Sequence, residues 1–163
     1  MTTDSIPGAA LAVRQGVDLG LPSARPPGLA NSTVITARFS DSNGFADLNI
    51  LNLLINDAID GRNACYIALI RSSATLVLVN DAGAAGGPFA GAITIPGSGI
   101  VSNNQCSINA AGSSVTGSGS ELTIALNVSF TGSFTGDRIV YLAARDQVEN
   151  NSGWQAKGTI TVP

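Results

Sequence analysis

Along residues 121–131 the chain alternates. Leu122, Ile124, Leu126, Val128 and Phe130 are apolar, and Thr123, Ala125, Asn127 and Ser129 between them are small or polar. Successive side chains of a β-strand point to opposite faces, so a period of two predicts a strand with one buried face. The same reading puts Ile35, Ala37 and Phe39 on one face of a strand over residues 33–40. Residues 154–162 read as the last strand. Trp154, Ala156, Gly158, Ile160 and Val162 are expected inward, and Gln155, Lys157, Thr159 and Thr161 outward. Residues 138–145 are more continuously apolar and predict a central strand.

The middle of the chain fits two periods. Leu48, Leu51, Ile55 and Ile59 would share one face of a helix capped by Asp47, whereas residues 48–56 also fit a strand. Asn49, Asn52 and Asn56 are poor helix formers, and strand-like runs follow at once, so the strand is expected. Residues 64–71 and 75–80, parted only by Ser72, Ser73 and Ala74, read as a hairpin. Residues 82–91 read as a Gly/Ala loop containing Pro88 and Phe89, residues 92–95 and 105–109 as short strands, and residues 112–120 as a small-residue turn. Residues 1–30 break the pattern. Pro7, Pro22, Pro26 and Pro27, with interspersed glycines, deny a continuous helix or central strand and mark a linker, with one edge strand near residues 17–21. The total is about eight or nine short strands and no long helix, which predicts an all-β, antiparallel Greek-key sandwich over residues 31–163.

Composition narrows the chemistry. The 163 residues hold 8 basic and 11 acidic side chains, a net charge of −3, and no histidine. Without an imidazole there is no Ser-His-Asp or Cys-His pair and no histidine ligand for a transition metal. Two cysteines are too few for a four-thiolate zinc or iron–sulfur site. Charged residues are 12%, against about 25% in an ordinary soluble domain, so Ser, Thr, Asn and Gly must cover the surface. A mean hydropathy of +0.28 argues against disorder. Lys157 is the single lysine and the arginines are scattered, so no basic stripe exists to meet nucleic acid or an anionic membrane surface. No apolar run reaches the ~18 residues of a membrane helix, so no membrane insertion is expected. The N-terminal residues show no basic stretch followed by an apolar run, so no signal peptide is expected among them. Cys65 and Cys106 lack C-x-x-C spacing. An even pair in a low-charge β chain is expected to form one disulfide, which implies an oxidising, extracellular or cell-surface location.

Four stretches carry a resemblance. FSDSNGFADL at Phe39–Leu48, DGRNACYIAL at Asp60–Leu69, LVLVNDAG at Leu76–Gly83 and YLAARDQVENNSGWQAKGTITVP at Tyr141–Pro163 resemble immunoglobulin-like and fibronectin-like modules of large secreted bacterial multidomain proteins. The last stretch is the most specific: a strand ending in A-R-D, a polar turn, then N-S-G-W entering the final strand. The resemblance implies an immunoglobulin-like sandwich that is not an enzyme but an accessory, spacer or adhesion module, partnered by neighbouring domains of a larger protein. It carries no catalytic residues over. The cysteines depart from the antibody pattern, because Cys65 falls in the mid-chain meander and Cys106 just before the 112–120 segment.

Three sets of residues remain as candidate chemistry. Asp41, Asn43 and Asp47 put three oxygen-bearing side chains in seven residues, a donor set that suits calcium. The competing reading is a tight turn, since Asn43-Gly44 favours positive φ. Asp57, Asp60 and Asp81 would add ligands only if their loops share that end. No other cofactor is expected. The nine aspartates and two glutamates fall in no glycosidase motif. Phe89, Tyr66 and Trp154 are the candidate ligand-binding aromatics. They would make the chain a carbohydrate-binding module attached to a polysaccharide-active enzyme, with a polysaccharide or a protein as ligand. Tyr66 alternates away from Cys65, Ile67 and Leu69, and Phe89 sits in a loop, whereas Trp154 heads the inward face of its strand and is expected in the core.

Overall fold

The structure is a computed structural model, described over residues 11–12, 17–18 and 32–162. Its strands are β1 (Leu11–Ala12), β2 (Val17–Asp18), β3 (Ser32–Asp41), β4 (Leu48–Asn56), β5 (Cys65–Ile70), β6 (Thr75–Val79), β7 (Phe89–Thr94), β8 (Ile100–Ser102), β9 (Cys106–Ser118), β10 (Glu121–Phe130), β11 (Gly136–Asp146) and β12 (Gln155–Val162). A single 3-10 turn, Phe45–Asp47, is the other regular element among the described residues. Every pairing is antiparallel. The first sheet runs β3-β10-β9-β8, with β1 and β2 both against β3, and the second runs β12-β11-β4-β5-β6-β7. The two stack as an antiparallel β-sandwich.

Alternation explains the core between them. Ile35, Ala37, Phe39, Leu122, Ile124, Leu126 and Val128 come from the first sheet. Leu51, Leu53, Ile55, Ile67, Leu69, Leu76, Leu78, Val140 and Leu142 meet them from the second. Full burial of each such side chain contributes about 1.5–3 kcal/mol. The ambiguous run is the strand β4. It pairs with β11 on one side and β5 on the other, a central position that satisfies its backbone more fully than a short helix with three asparagines. Cys65 on β5 and Cys106 on β9 form the disulfide, with Cα atoms 5.7 Å apart, so it ties one sheet to the other.

Three local readings change. Residues 112–118 are not a turn but the second half of β9. Its register with β10 shifts between Ala125 and Asn127. There the buried Ser113 hydroxyl donates to the Asn109 carbonyl at 2.7 Å and accepts the Asn127 N–H at 2.9 Å, replacing ladder bonds. Phe89 starts β7 rather than lying in a loop, and β8 is a strand too short to show a period. The third change moves a functional candidate. The β11–β12 register shifts between Val140, opposite Gly158, and Tyr141, opposite Ala156, leaving Lys157 as an extra residue. One extra residue reverses which face the preceding side chains take. Ile160 and Val162 are therefore in the core as expected, while Trp154 lies on the opposite, outer face.

The 1–30 linker expectation falls mostly outside the described residues. Within it, Val17–Asp18 pairs with Thr36 and Ala37 as an edge strand.

Candidate functional site

The outer face of the second sheet is a trough of about 570 Å³. Its floor follows from register. Ala143 lies opposite Asn52, Asn52 opposite Ala68, and Ala68 opposite Val77. Small side chains thus line up across four neighbouring strands, which at about 4.8 Å per strand gives a channel of ~14 Å. The flanking rows are taller. On one side Leu54 lies opposite both Tyr141 and Tyr66, and Val79 lies opposite Phe89. On the other, Ile50 lies opposite Arg145 and Ile70.

All three ligand-binding aromatics of the sequence reading line this trough. The Tyr66 and Trp154 rings meet edge to face, 5.6 Å between centroids. Leu54, Ala64, Val79 and Tyr141 pack around them as a second, smaller apolar cluster. That burial pushes the Tyr66 hydroxyl pKa above its ordinary value. Phe89 stands at the far edge and is 43% exposed. Polar groups are few: Asn52 on the floor, and Arg145 and Asn151 at one end. The Arg145 Nε is buried without a hydrogen-bond acceptor among the described residues, and its ion-pair partner Glu149 is 3.6 Å away. Among the described residues, no Asp or Glu lines the trough.

The Asp41–Asp47 segment does not join paired strands. It carries the chain from β3 in the first sheet to β4 in the second. The Gly44 N–H donates to the Asp41 carbonyl at 2.9 Å, Gly44 has φ +104°, and the Phe45–Asp47 turn follows. Phe45 then packs over Gly117, where a Cβ would collide with the ring. Asp41 is buried. Its Oδ1 accepts the Asn43 N–H at 2.8 Å, while Oδ2 has no hydrogen-bond partner among the described residues. The Asn43 amide donates to Asp47 at 3.3 Å.

The structure adds a carboxylate that sequence reasoning missed. Asp146, the last residue of β11, is fully buried beside Asp41 and Asp47, and the three place oxygens within 4.8 Å of one another. Its Oδ1 accepts the Val148 and Asn150 N–H groups, and its Oδ2 accepts the Asn150 amide, so it organises the turn into β12. Burial first, and the charges of Asp47 and Asp146 behind it, raise the Asp41 pKa from 3.8 to about 6, against the lowering pull of the Asn43 N–H. The available signal was an aspartate ending an apolar strand. Asp57 and Asp60 line a separate depression with Arg62 and Arg138, and Asp81 bonds to Asn104, so these three stay apart from Asp41.

In comparisons with known proteins, no family model, no curated protein and no solved structure matches this chain.

Proposed function

We propose that the chain is a non-catalytic, carbohydrate-recognising module of a secreted or surface bacterial protein, immunoglobulin-like in type. The observation that carries this reading is the trough that brings Tyr66, Trp154 and Phe89 together over a floor of small residues. Sugar rings present flat C–H faces that pack on aromatic faces, and hydroxyl edges that need donors and acceptors. Tyr and Trp suit such a site because each pairs an apolar body with a polar tip. Asn52, Asn151 and Arg145 line the same channel and offer side-chain hydrogen-bonding groups to hydroxyls. That no carboxylate lines the trough among the described residues supports binding without hydrolysis. The inter-sheet disulfide fits an extracellular setting. The resemblance of residues 141–163 to modules of secreted bacterial proteins supports a place beside other domains, as an adhesion or accessory unit.

Retention on a panel of soluble and insoluble polysaccharides tests the proposal. At least one should retain the protein, and Trp154→Ala and Phe89→Ala should each weaken retention about tenfold or more, which is ~1.4 kcal/mol. Ala68→Phe should block the channel while leaving the sandwich folded. No retention on any polysaccharide removes the carbohydrate reading and leaves a spacer or protein-adhesion module.

A further inference from the structure

We propose that Asp41, Asp47 and Asp146 together hold one calcium ion, at the end of the sandwich where β3, the 3-10 turn and the end of β11 converge. The three carboxylates come from two distant parts of the chain and share one small volume, with oxygens within 4.8 Å of one another. A calcium ion keeps its oxygen ligands at 2.3–2.6 Å, so oxygens on opposite sides of it stand up to about 5.2 Å apart. Separations of up to 4.8 Å lie within that span. Magnesium, at 2.0–2.1 Å, draws its ligands to within about 4.2 Å and keeps several waters. A protein-made cage of two buried carboxylates and one half-buried one suits calcium better.

An independent observation points the same way. Asp41 is 1% exposed, and its Oδ2 has no hydrogen-bond partner among the described residues. A buried carboxylate oxygen without a donor is costly, and the cost is removed by a cation. Among the described residues no arginine or lysine pairs with these three carboxylates; the ion pairs found go to Asp60, Asp57 and Glu149. Around the cluster, the Asn43 amide donates to Asp47, and Val148 and Asn150 donate to Asp146. These bonds fix the carboxylates in place and leave lone pairs for an ion. The role of Asn43 is then to position Asp47.

Calorimetric titration of chelator-stripped protein with calcium chloride, and separately with magnesium chloride, is the test. The expected result is one calcium per chain, binding at least tenfold tighter than magnesium, with a rise in melting temperature. Asp47→Asn and Asp41→Asn should each weaken calcium at least tenfold. Hydrogen exchange on the unmodified protein needs no variant: calcium should slow exchange of the Val148 and Asn150 amides. No heat and no change in exchange at millimolar calcium overturns the proposal. So does calcium binding that survives both substitutions at undiminished affinity. Neither readout involves a carbohydrate, so the site stands or falls apart from the trough.

Discussion

The two sheets of this sandwich have alike inner faces and unlike outer ones. On the first sheet, β10 alternates a buried residue with a half-buried one along its whole length, and the outward positions are Thr123, Ala125, Asn127 and Ser129. Ser114, Thr116 and Ser118 of β9 continue that polar surface, exposed. On the second sheet the outward positions flanking the trough are Ile50, Leu54, Tyr66, Ile70 and Tyr141, with the small residues of its floor between them. A two-layer sandwich needs apolar side chains on one face of each sheet only. Apolar surface beyond that requirement, shaped into a channel and rimmed by a few polar groups, supports the binding proposed for this face. The outward positions of β10 on the first sheet carry no such apolar surplus.

The largest effect on this comparison comes from cutting the clamp that keeps the faces back to back. Cys65 and Cys106 are separated by 41 residues, and closing a loop of that length stabilises the folded state by about 4 kcal/mol in the chain-entropy model. Cys65→Ala with Cys106→Ala should lower the unfolding free energy by roughly that amount in a urea titration. Intact mass should rise by about two units on reduction of the native protein, as one disulfide becomes two thiols. A double variant as stable as the native chain would mean that the apolar core alone fixes how the sheets stack.

Much of this contrast was legible in the residues, and the limits have physical causes. Strict alternation in β3 and β10 showed both faces because one face of each is solvated. β4, β5 and β11 are apolar on both sides, and in such strands period two fades, so the trough could not be read from their pattern. Its floor depends on Ala143, Asn52 and Ala68 coming level across strands, which is register and not composition. Trp154 was assigned inward because alternation was carried back through Lys157. A bulge of one residue reverses that inference and leaves no mark in the hydrophobic pattern. The Asp41 and Asp47 end of the chain was visible as an oxygen-rich turn. Asp146 was not, because its neighbours in space are about a hundred residues away in sequence.

An intermediate effect comes from the carboxylates beneath one end of the trough. The turn that Asp146 organises also carries Asn151 and Trp154 to the groove. Asp41 binds its proton up to about pH 6 in the folded protein, against 3.8 ordinarily. Between those values the native state holds a proton that the unfolded state has lost, so stability falls as pH rises. In chelator, the melting temperature should therefore drop from about pH 4 to about pH 6 and level off above. Asp41→Asn should flatten that slope. Asp60, held near 2 by Arg62, changes charge below this window and does not confuse it. A melting temperature that rises steadily over the same interval would show that Asp41 is already ionised and paired in the fold.

The smallest effect is the sharpest control on the two faces. Thr123→Ala removes a half-buried hydroxyl from the polar outer face, and Asn52→Ala removes a half-buried amide from the floor of the trough. Neither leaves a cavity in the core, so each should change stability by no more than about 0.5–1 kcal/mol. Their consequences for carbohydrate retention should differ. Asn52→Ala takes a hydrogen-bonding group out of the channel and should weaken retention several-fold, the ~1 kcal/mol of one net hydrogen bond. Thr123→Ala should leave retention unchanged. If Thr123→Ala weakened retention and Asn52→Ala did not, the polar face would be the one that binds. The apolar surplus of the second sheet would then have to be explained by contact with another protein domain.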